Sequence, residues 1–261
     1  MQDFLDWFRS TFPYYYDKCD ACGTSSSTVE GTRRTFLGVA CPNKKELTIG
    51  RANKVEFFVC PNCSSVTRFP RLNAAIPICE NRRGRCGEYN LLLLRMLQAL
   101  GHTCRCVVDC GHDHVWSEVQ WDGAGTGNST DRRLLHLDPC EAAVNKNLLY
   151  QEWGRHLTSV FAICAPPFVT DENSSQGEAI PIIEDVTDRY TSQKVWFRWR
   201  QKIIDEASAA LNDKISALKE STAKEKVVPD SWWRHWTVIS GVCGGVFTLI
   251  WGVDSKWTNL A

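Results

Sequence analysis

The residues best suited to do chemistry in this chain are a cysteine, a histidine and an aspartate. Cys86 stands in the run Arg82-Arg83-Gly84-Arg85-Cys86-Gly87-Glu88, at the start of a stretch that reads as a helix. Helix N-termini carry partial positive charge and unpaired N–H groups, which favour a thiolate over a thiol, and three neighbouring arginines push the same way. His114 opens one strand-like run and Asp138 closes the next. If those strands pair around a loop near residue 126, His114 falls opposite Asp138 and Trp116 opposite His136. The side-chain period of two then puts His114, Trp116, Glu118, His136 and Asp138 on one face. A cysteine on a helix N-terminus with a His–Asp pair on a hairpin is the arrangement of thiol acyl chemistry. Cys86 attacks a carbonyl carbon, His114 holds the proton and passes it to the leaving nitrogen, and Asp138 fixes the imidazole tautomer.

Four other cysteines have metal-ligand spacing. Cys19-x-x-Cys22 and Cys60-x-x-Cys63 are two knuckles that each point both sulfurs to one side. Together they are expected to hold one structural Zn2+ in a closed site that contributes folding energy, not chemistry.

The elements that must position these groups read as an α+β domain. Phe4, Trp7, Phe8 and Phe12 step like the apolar stripe of an amphipathic helix, ended by Pro13. One strand-like run, Val55–Val59, lies between the knuckles, and residues 64–80, with Pro70 and Pro77, read as an extended crossing. Gly87–Leu100 is apolar nearly all round and is expected as a buried helix stopped by Gly101. Thr103–Asp109, His114–Trp121 and Leu134–Asp138 read as an antiparallel meander, with a further strand over Leu157–Cys164. From Val195 a helical pattern returns, with Phe197, Ile204, Leu211 and Leu218 at heptad spacing. The division expected is 1–80 for the N-terminal helix and zinc-binding subdomain, 81–194 for the catalytic core, 195–222 for the amphipathic helix, and 223–261 for a linker and Trp-rich apolar tail.

Composition narrows the function classes. Thirty Lys and Arg balance thirty Asp and Glu, so no basic surface for nucleic acid is expected. Thirteen cysteines are an odd number, so they cannot all be paired within one chain. No charged n-region followed by an apolar h-region and cleavage site opens the sequence, and a reducing, cytoplasmic setting is the expectation. Residues 236–253 lack Asp, Glu, Lys and Arg. They are long enough to span a hydrocarbon core, giving membrane contact, but their Val, Ile, Phe and Thr also suit two short strands turning at Gly244-Gly245.

In order along the chain, the two knuckles are followed by Arg-Phe-Pro-Arg-Leu-Asn (68–73), Gly-Arg-Cys-Gly-Glu (84–88), Asp-His-Val-Trp-Ser-Glu (113–118), His-Leu-Asp-Pro-Cys-Glu (136–141) and Asp-Val-Thr-Asp-Arg-Tyr (185–190). This series resembles cytoplasmic peptide:N-glycanase, a family of the transglutaminase-like superfamily. The resemblance implies a transglutaminase-like (papain-like) cysteine enzyme core with a zinc-binding subdomain, to which the heptad pattern adds a helical C-terminal extension. It implies hydrolysis of the glycan–Asn amide bond on denatured, misfolded N-glycoproteins, leaving Asp in place of Asn. Cys86, His114 and Asp138 match the family's triad, and Cys19, Cys22, Cys60 and Cys63 its zinc ligands. Trp116 and Glu118 match positions that line the sugar cleft, where an indole face can stack on a pyranose and a carboxylate accept hydroxyl hydrogen bonds. A ubiquitin-shuttle (Rad23-like) protein and proteasome-linked proteins are the partners implied. Three positions depart from the family: Leu134 and Val108 stand where Trp is usual, and Tyr89 replaces Trp after Gly-Glu. Another thiol acyl transferase or hydrolase of the superfamily, and a non-enzymatic scaffold of the same fold, are the competing readings.

Overall fold

A computed structural model describes residues 1–15, 18–24, 34–122, 132–164 and 183–192, together with Asp205 and Ala209. The amphipathic helix expected over 195–222, the tail over 223–261 and the loop at 123–131 lie essentially outside the described residues. Among the described residues, no helix is long and apolar enough to cross a membrane. The chain forms two compact units. The first comprises Met1–Gly101 and Leu137–Val144, and the second comprises His102–His136 and the residues from Asn145 onward.

In chain order the first unit holds α1 (Gln2–Thr11), β1 (Thr35–Ala40), α2 (Lys44–Thr48), β2 (Val55–Val59), β3 (Val66–Pro70), α3 (Ala75–Asn81) and α4 (Cys86–Ala99). The second holds β4 (Cys104–Asp109), β5 (His114–Asp122) and most of β6 (Arg132–Asp138). β7 (Ala143–Val144) belongs to the first unit. α5 (Leu149–Glu152), β8 (Val160–Cys164), β9 (Ile183–Asp185) and α6 (Thr187–Tyr190) complete the second.

The helix at the N-terminus forms as its periodicity requires, but rotated from the expected stripe. Leu5, Phe8 and Phe12 are buried, while Trp7 is 48% exposed. Phe8 and Phe12 pack on Tyr89 of α4, with ring centroids 5.8 and 6.2 Å away, which sets the buried face. Arg9 Nε donates to the Cys140 carbonyl at 2.9 Å and Gln2 Nε2 to the Ala142 carbonyl at 2.7 Å, so α1 also carries the turn after Asp138.

The segment between the knuckles holds more than the one expected strand. β1, β2 and β3 form an antiparallel sheet with β2 in the centre, and α2 starts at a capping box in which Asn43 and Glu46 satisfy each other's backbone N–H. Residues 64–80 are not an extended crossing. β3 ends at Pro70 on the sheet edge, where no ladder partner is lost, and Pro77 sits in the first turn of α3, where its missing N–H costs nothing. In α4, all of residues 88–94 are buried, as the apolar composition predicts.

The second unit is a sheet of order β6-β5-β4-β8-β9. β4 pairs antiparallel with β5, Asp109 opposite His114, and with β8, Asp109 opposite Val160. Val107, Trp116, Tyr150, Val160, Ala162 and Tyr190 form its core. β7 pairs with the last residues of β6, Asp138 opposite Ala143, within the first unit.

Charge pairs tie the first unit's sheet together. Burial alone would raise the Glu56 carboxyl, but Arg71, Arg85 and Lys54 overcome it and hold that group below its ordinary value. Glu46 is also lowered, by the guanidinium of Arg68. A carboxyl depressed on folding stabilises the fold above its unfolded pKa and loses that contribution as pH falls through the folded value. Urea midpoints are therefore expected to drop as the pH is taken below about 4.3. Glu56→Gln should lower stability at neutral pH and make that acid decline shallower; an unchanged acid limb would contradict the assignment.

Candidate functional site

The four knuckle cysteines meet within the first unit, their sulfurs all within 4.8 Å of one another. The two turns are built alike. The N–H of Gly23 donates to the Cys19 carbonyl at 2.8 Å, and that of Ser64 to the Cys60 carbonyl at 2.9 Å. Each first cysteine donates its own N–H five residues on, Cys19 to Thr24 and Cys60 to Ser65, both at 2.9 Å. Gly23 and Ser64 occupy the left-handed region, with φ of +69° and +59°, which closes each loop. Cys19 and Cys63 sulfurs lie 3.7 Å apart, and those of Cys22 and Cys60 3.8 Å apart. Sulfurs about 2.3 Å from a central ion at tetrahedral corners lie about 3.8 Å from each other, so the donor set fits a four-thiolate metal site. The surroundings favour the thiolate at Cys22 and Cys19, whereas at Cys60 the lowering by the Cys63 backbone N–H is outweighed by burial and the neighbouring Cys19 and Cys63 sulfurs, which raise the thiol. The Thr24 hydroxyl, 3.1 Å from the Cys22 sulfur, is foremost in lowering that thiol to about 5, and the Ser65 hydroxyl is foremost in lowering Cys19 to about 7.

Cys86 is the first residue of α4 and is half-buried. The turn that delivers it depends on Gly84. A side chain there would meet the Tyr89 ring at 2.7 Å. The Gly84 carbonyl accepts the Tyr15 N–H at 3.0 Å, and the Tyr89 hydroxyl donates to the Pro13 carbonyl, so the approach to α4 is pinned from the N-terminal segment. The Arg85 guanidinium lies 4.3 Å over the Tyr15 ring and pairs with Glu56. Glu88, in the first helical turn, accepts the Arg85 backbone N–H at 3.0 Å and the Arg71 Nε at 2.5 Å.

Asp138 is fully buried in the same unit. Its Oδ1 accepts the backbone N–H groups of Cys140 at 2.9 Å and Glu141 at 3.4 Å, a turn that holds the carboxylate in place. Burial pushes the Cys140 thiol well up, and the charges of Asp138 and Cys86 add to the rise, so both groups act on this buried sulfur.

His114 lies in the second unit, 7% exposed at the start of β5. Its ring is packed against Tyr150 at 5.2 Å, Trp116 at 5.8 Å and Trp153 at 5.9 Å. Trp116 is wholly buried, stacked on Tyr150 at 4.3 Å and edge-on to Tyr190 at 4.8 Å. Glu118 is 2% exposed and belongs to a buried ion cluster. It receives Arg105 Nε at 2.6 Å, the Tyr190 hydroxyl at 2.7 Å and Arg189 Nη1 at 3.3 Å. In this structure neither side chain presents a face to solvent. Burial, with Glu118 adding to it, raises the Tyr190 hydroxyl well above its usual value, so it stays a donor. His136 pairs with the Tyr150 hydroxyl at 2.7 Å.

Sequence reasoning missed Glu56, Arg71, Arg105 and Tyr150. Arg71 lies in the Arg-Phe-Pro-Arg-Leu-Asn run singled out above, and that run was its only signal. Two of the three departures from the expected aromatics are buried packing positions: Val108 is 2% exposed, and Tyr89 is enclosed by Phe8, Phe12 and Tyr14.

Residues 39–139, which contain Cys86, His114 and Asp138, match the family model of the transglutaminase-like superfamily. A protein of Oryza sativa subsp. japonica named peptide-N(4)-(N-acetyl-beta-glucosaminyl)asparagine amidase is 37% identical over 161 residues, covering 61% of this chain and 32% of that protein. Proteins of the same name from Arabidopsis thaliana and Gallus gallus are 32% identical over 191 residues and 33% identical over 221 residues, covering 72% and 84% of this chain. The chain spans no more than 32% of the length of these three relatives. It carries a transglutaminase-like domain and is related, through that domain and the residues around it, to the proteins named peptide-N(4)-(N-acetyl-beta-glucosaminyl)asparagine amidase.

Proposed function

We propose that the chain is a peptide:N-glycanase, a thiol amidase that removes N-linked glycans from denatured glycoproteins. The observation that carries this reading is the run of relatives of that name from plants and animals, beside a transglutaminase-like match over residues 39–139, which contain Cys86. Cys86 Sγ attacks the side-chain carbonyl of the glycosylated Asn. The carbon–nitrogen bond breaks, and His114 gives its proton to the nitrogen, which leaves with the glycan as a glycosylamine. Water then attacks the thioester, with His114 taking its proton, and the peptide is released carrying Asp. Asp138 orients the imidazole. Within the second unit the Trp116 and His136 rings are 6.0 Å apart. Trp116, enclosed beneath the His114 ring, serves the site by holding that ring. Glu118 holds the sheet face through Arg105 and Tyr190. Their part in substrate binding is indirect in this reading.

The ion in the cysteine cluster is zinc, one per chain, and it closes the fold of the first unit. The cytoplasm is the setting, with ubiquitin-shuttle and proteasome-linked proteins as partners.

Cys86→Ala should keep the circular dichroism spectrum and melting temperature of the parent and release no glycan from a denatured glycopeptide. Full activity in that variant would remove the assignment. Elemental analysis of the purified chain should return one zinc per chain. Cys60→Ser should lose the metal and melt at a lower temperature; unchanged zinc content would show that the cluster is not the site.

A further inference from the structure

The Arg-Phe-Pro-Arg-Leu-Asn run ends in a clamp on the helix that bears Cys86. Glu88 is the third residue of α4. Its Oε2 caps the Arg85 N–H at 3.0 Å, and its Oε1 receives Arg71 Nε at 2.5 Å, with Arg71 Nη2 at 3.4 Å from Oε2. Arg71 thus reaches Glu88 with a two-pronged fork, the geometry that fixes direction as well as distance. Its remaining nitrogen, Nη1, lies 3.2 Å from Glu56 Oε1 on β2. Glu56 in turn pairs with Arg85, the residue immediately before Cys86, and with Lys54. Glu88 and Glu56 are 4% exposed. The backbone on both sides of Cys86 is therefore tied to the three-stranded sheet through buried charges, and the negative charge of Glu88, two residues from the thiol, is balanced by Arg71.

Resting on the assignment of Cys86 as the nucleophile, we infer that Glu88 and Arg71 are positioning residues for it. They set the first turn of α4 and cancel the carboxylate charge beside the sulfur. Misplacing a reacting atom by an ångström costs about a hundredfold in rate, so the clamp has kinetic leverage without touching substrate.

The test reads the thiol directly. Trypsin cuts after Arg85 and Arg95, and the peptide between them contains Cys86 and no other cysteine. Its iodoacetamide labelling in the native protein at neutral pH gives a rate that needs no substrate. Arg71→Met, which leaves the Glu88 carboxylate uncompensated beside the sulfur, should slow Cys86 labelling, and both Arg71→Met and Glu88→Ala should lower kcat for a denatured glycopeptide by about tenfold or more, with KM changed less than about twofold. Glu88→Gln, which keeps the capping acceptor, should recover part of the loss, as should Arg71→Lys. Arg68→Met, which breaks the separate pair between Arg68 on β3 and Glu46 on α2, should label at the parent rate. Parental labelling in Arg71→Met, parental kcat in Glu88→Ala, or equal slowing of labelling in Arg68→Met overturns the inference. If Glu88→Ala or Arg71→Met fails to fold, Glu88→Gln and Arg71→Lys decide it, and parental kcat in both overturns it. If the parent chain releases no glycan, the amidase assignment fails on that result, while the labelling series still decides the clamp.

Discussion

Everything in the first unit is arranged around one constraint: an apolar helix must be buried while its N-terminal end stays polar and presents a thiol. α4 buries Tyr89 and the leucines that follow it, yet its first N–H groups and Cys86 sit at an end that cannot be sealed with hydrocarbon. Buried charge resolves this. Glu88 caps the turn, Arg71 neutralises Glu88, and Glu56 balances Arg71 and Arg85 from the neighbouring sheet. Buried ion pairs of this kind contribute little net stability compared with hydrophobic packing, but removing one partner leaves a charge uncompensated, so they enforce geometry. The knuckle site serves the same unit. It ties the segment before β1 to the loop between β2 and β3, the sheet that supplies Glu56 and Arg71.

The second unit solves a similar problem differently. His114 has an aromatic floor in which Trp116, Tyr150 and Tyr190 interlock, and such rings hold position through both area and edge-to-face geometry. Beside it, Arg105 joins Glu118 and Glu184 in a cluster that also receives Arg189 and Tyr190. Aromatic packing encloses the His114 ring in its unit, whereas charge and capping hold the first turn of α4 in the other.

How much of this was legible in the sequence follows from how local each signal is. The CxxC knuckles were readable because a four-residue turn decides where both sulfurs point. α4 was readable from composition, and the β4–β5 hairpin from its alternation. β1 and α2 were hidden in a polar Ser/Thr/Gly context, and Pro70 and Pro77 were read as breakers although each occupies a place where proline costs nothing. Trp7 was read as inward because its spacing suited the stripe, yet the contact with Tyr89 selects Leu5, Phe8 and Phe12. Trp116 and Glu118 were assigned to the sugar cleft through the resemblance, since strand alternation gives a face but not what covers it. The covering groups, Tyr150, Tyr190 and Arg105, come from segments distant in sequence, as does the Arg71–Glu88 fork.

The central claim is that the Cys86 sulfur becomes covalently bonded to the substrate's acyl carbon. The most direct measurement is an acid-quenched turnover of a denatured glycopeptide, followed by digestion at acid pH and mass analysis of every cysteine-containing peptide. The account predicts a thioester adduct on the peptide bearing Cys86, with the mass of the substrate peptide after loss of the glycosylamine. An adduct on a different cysteine, or glycan release during which Cys86 stays unmodified at every time point, would contradict it.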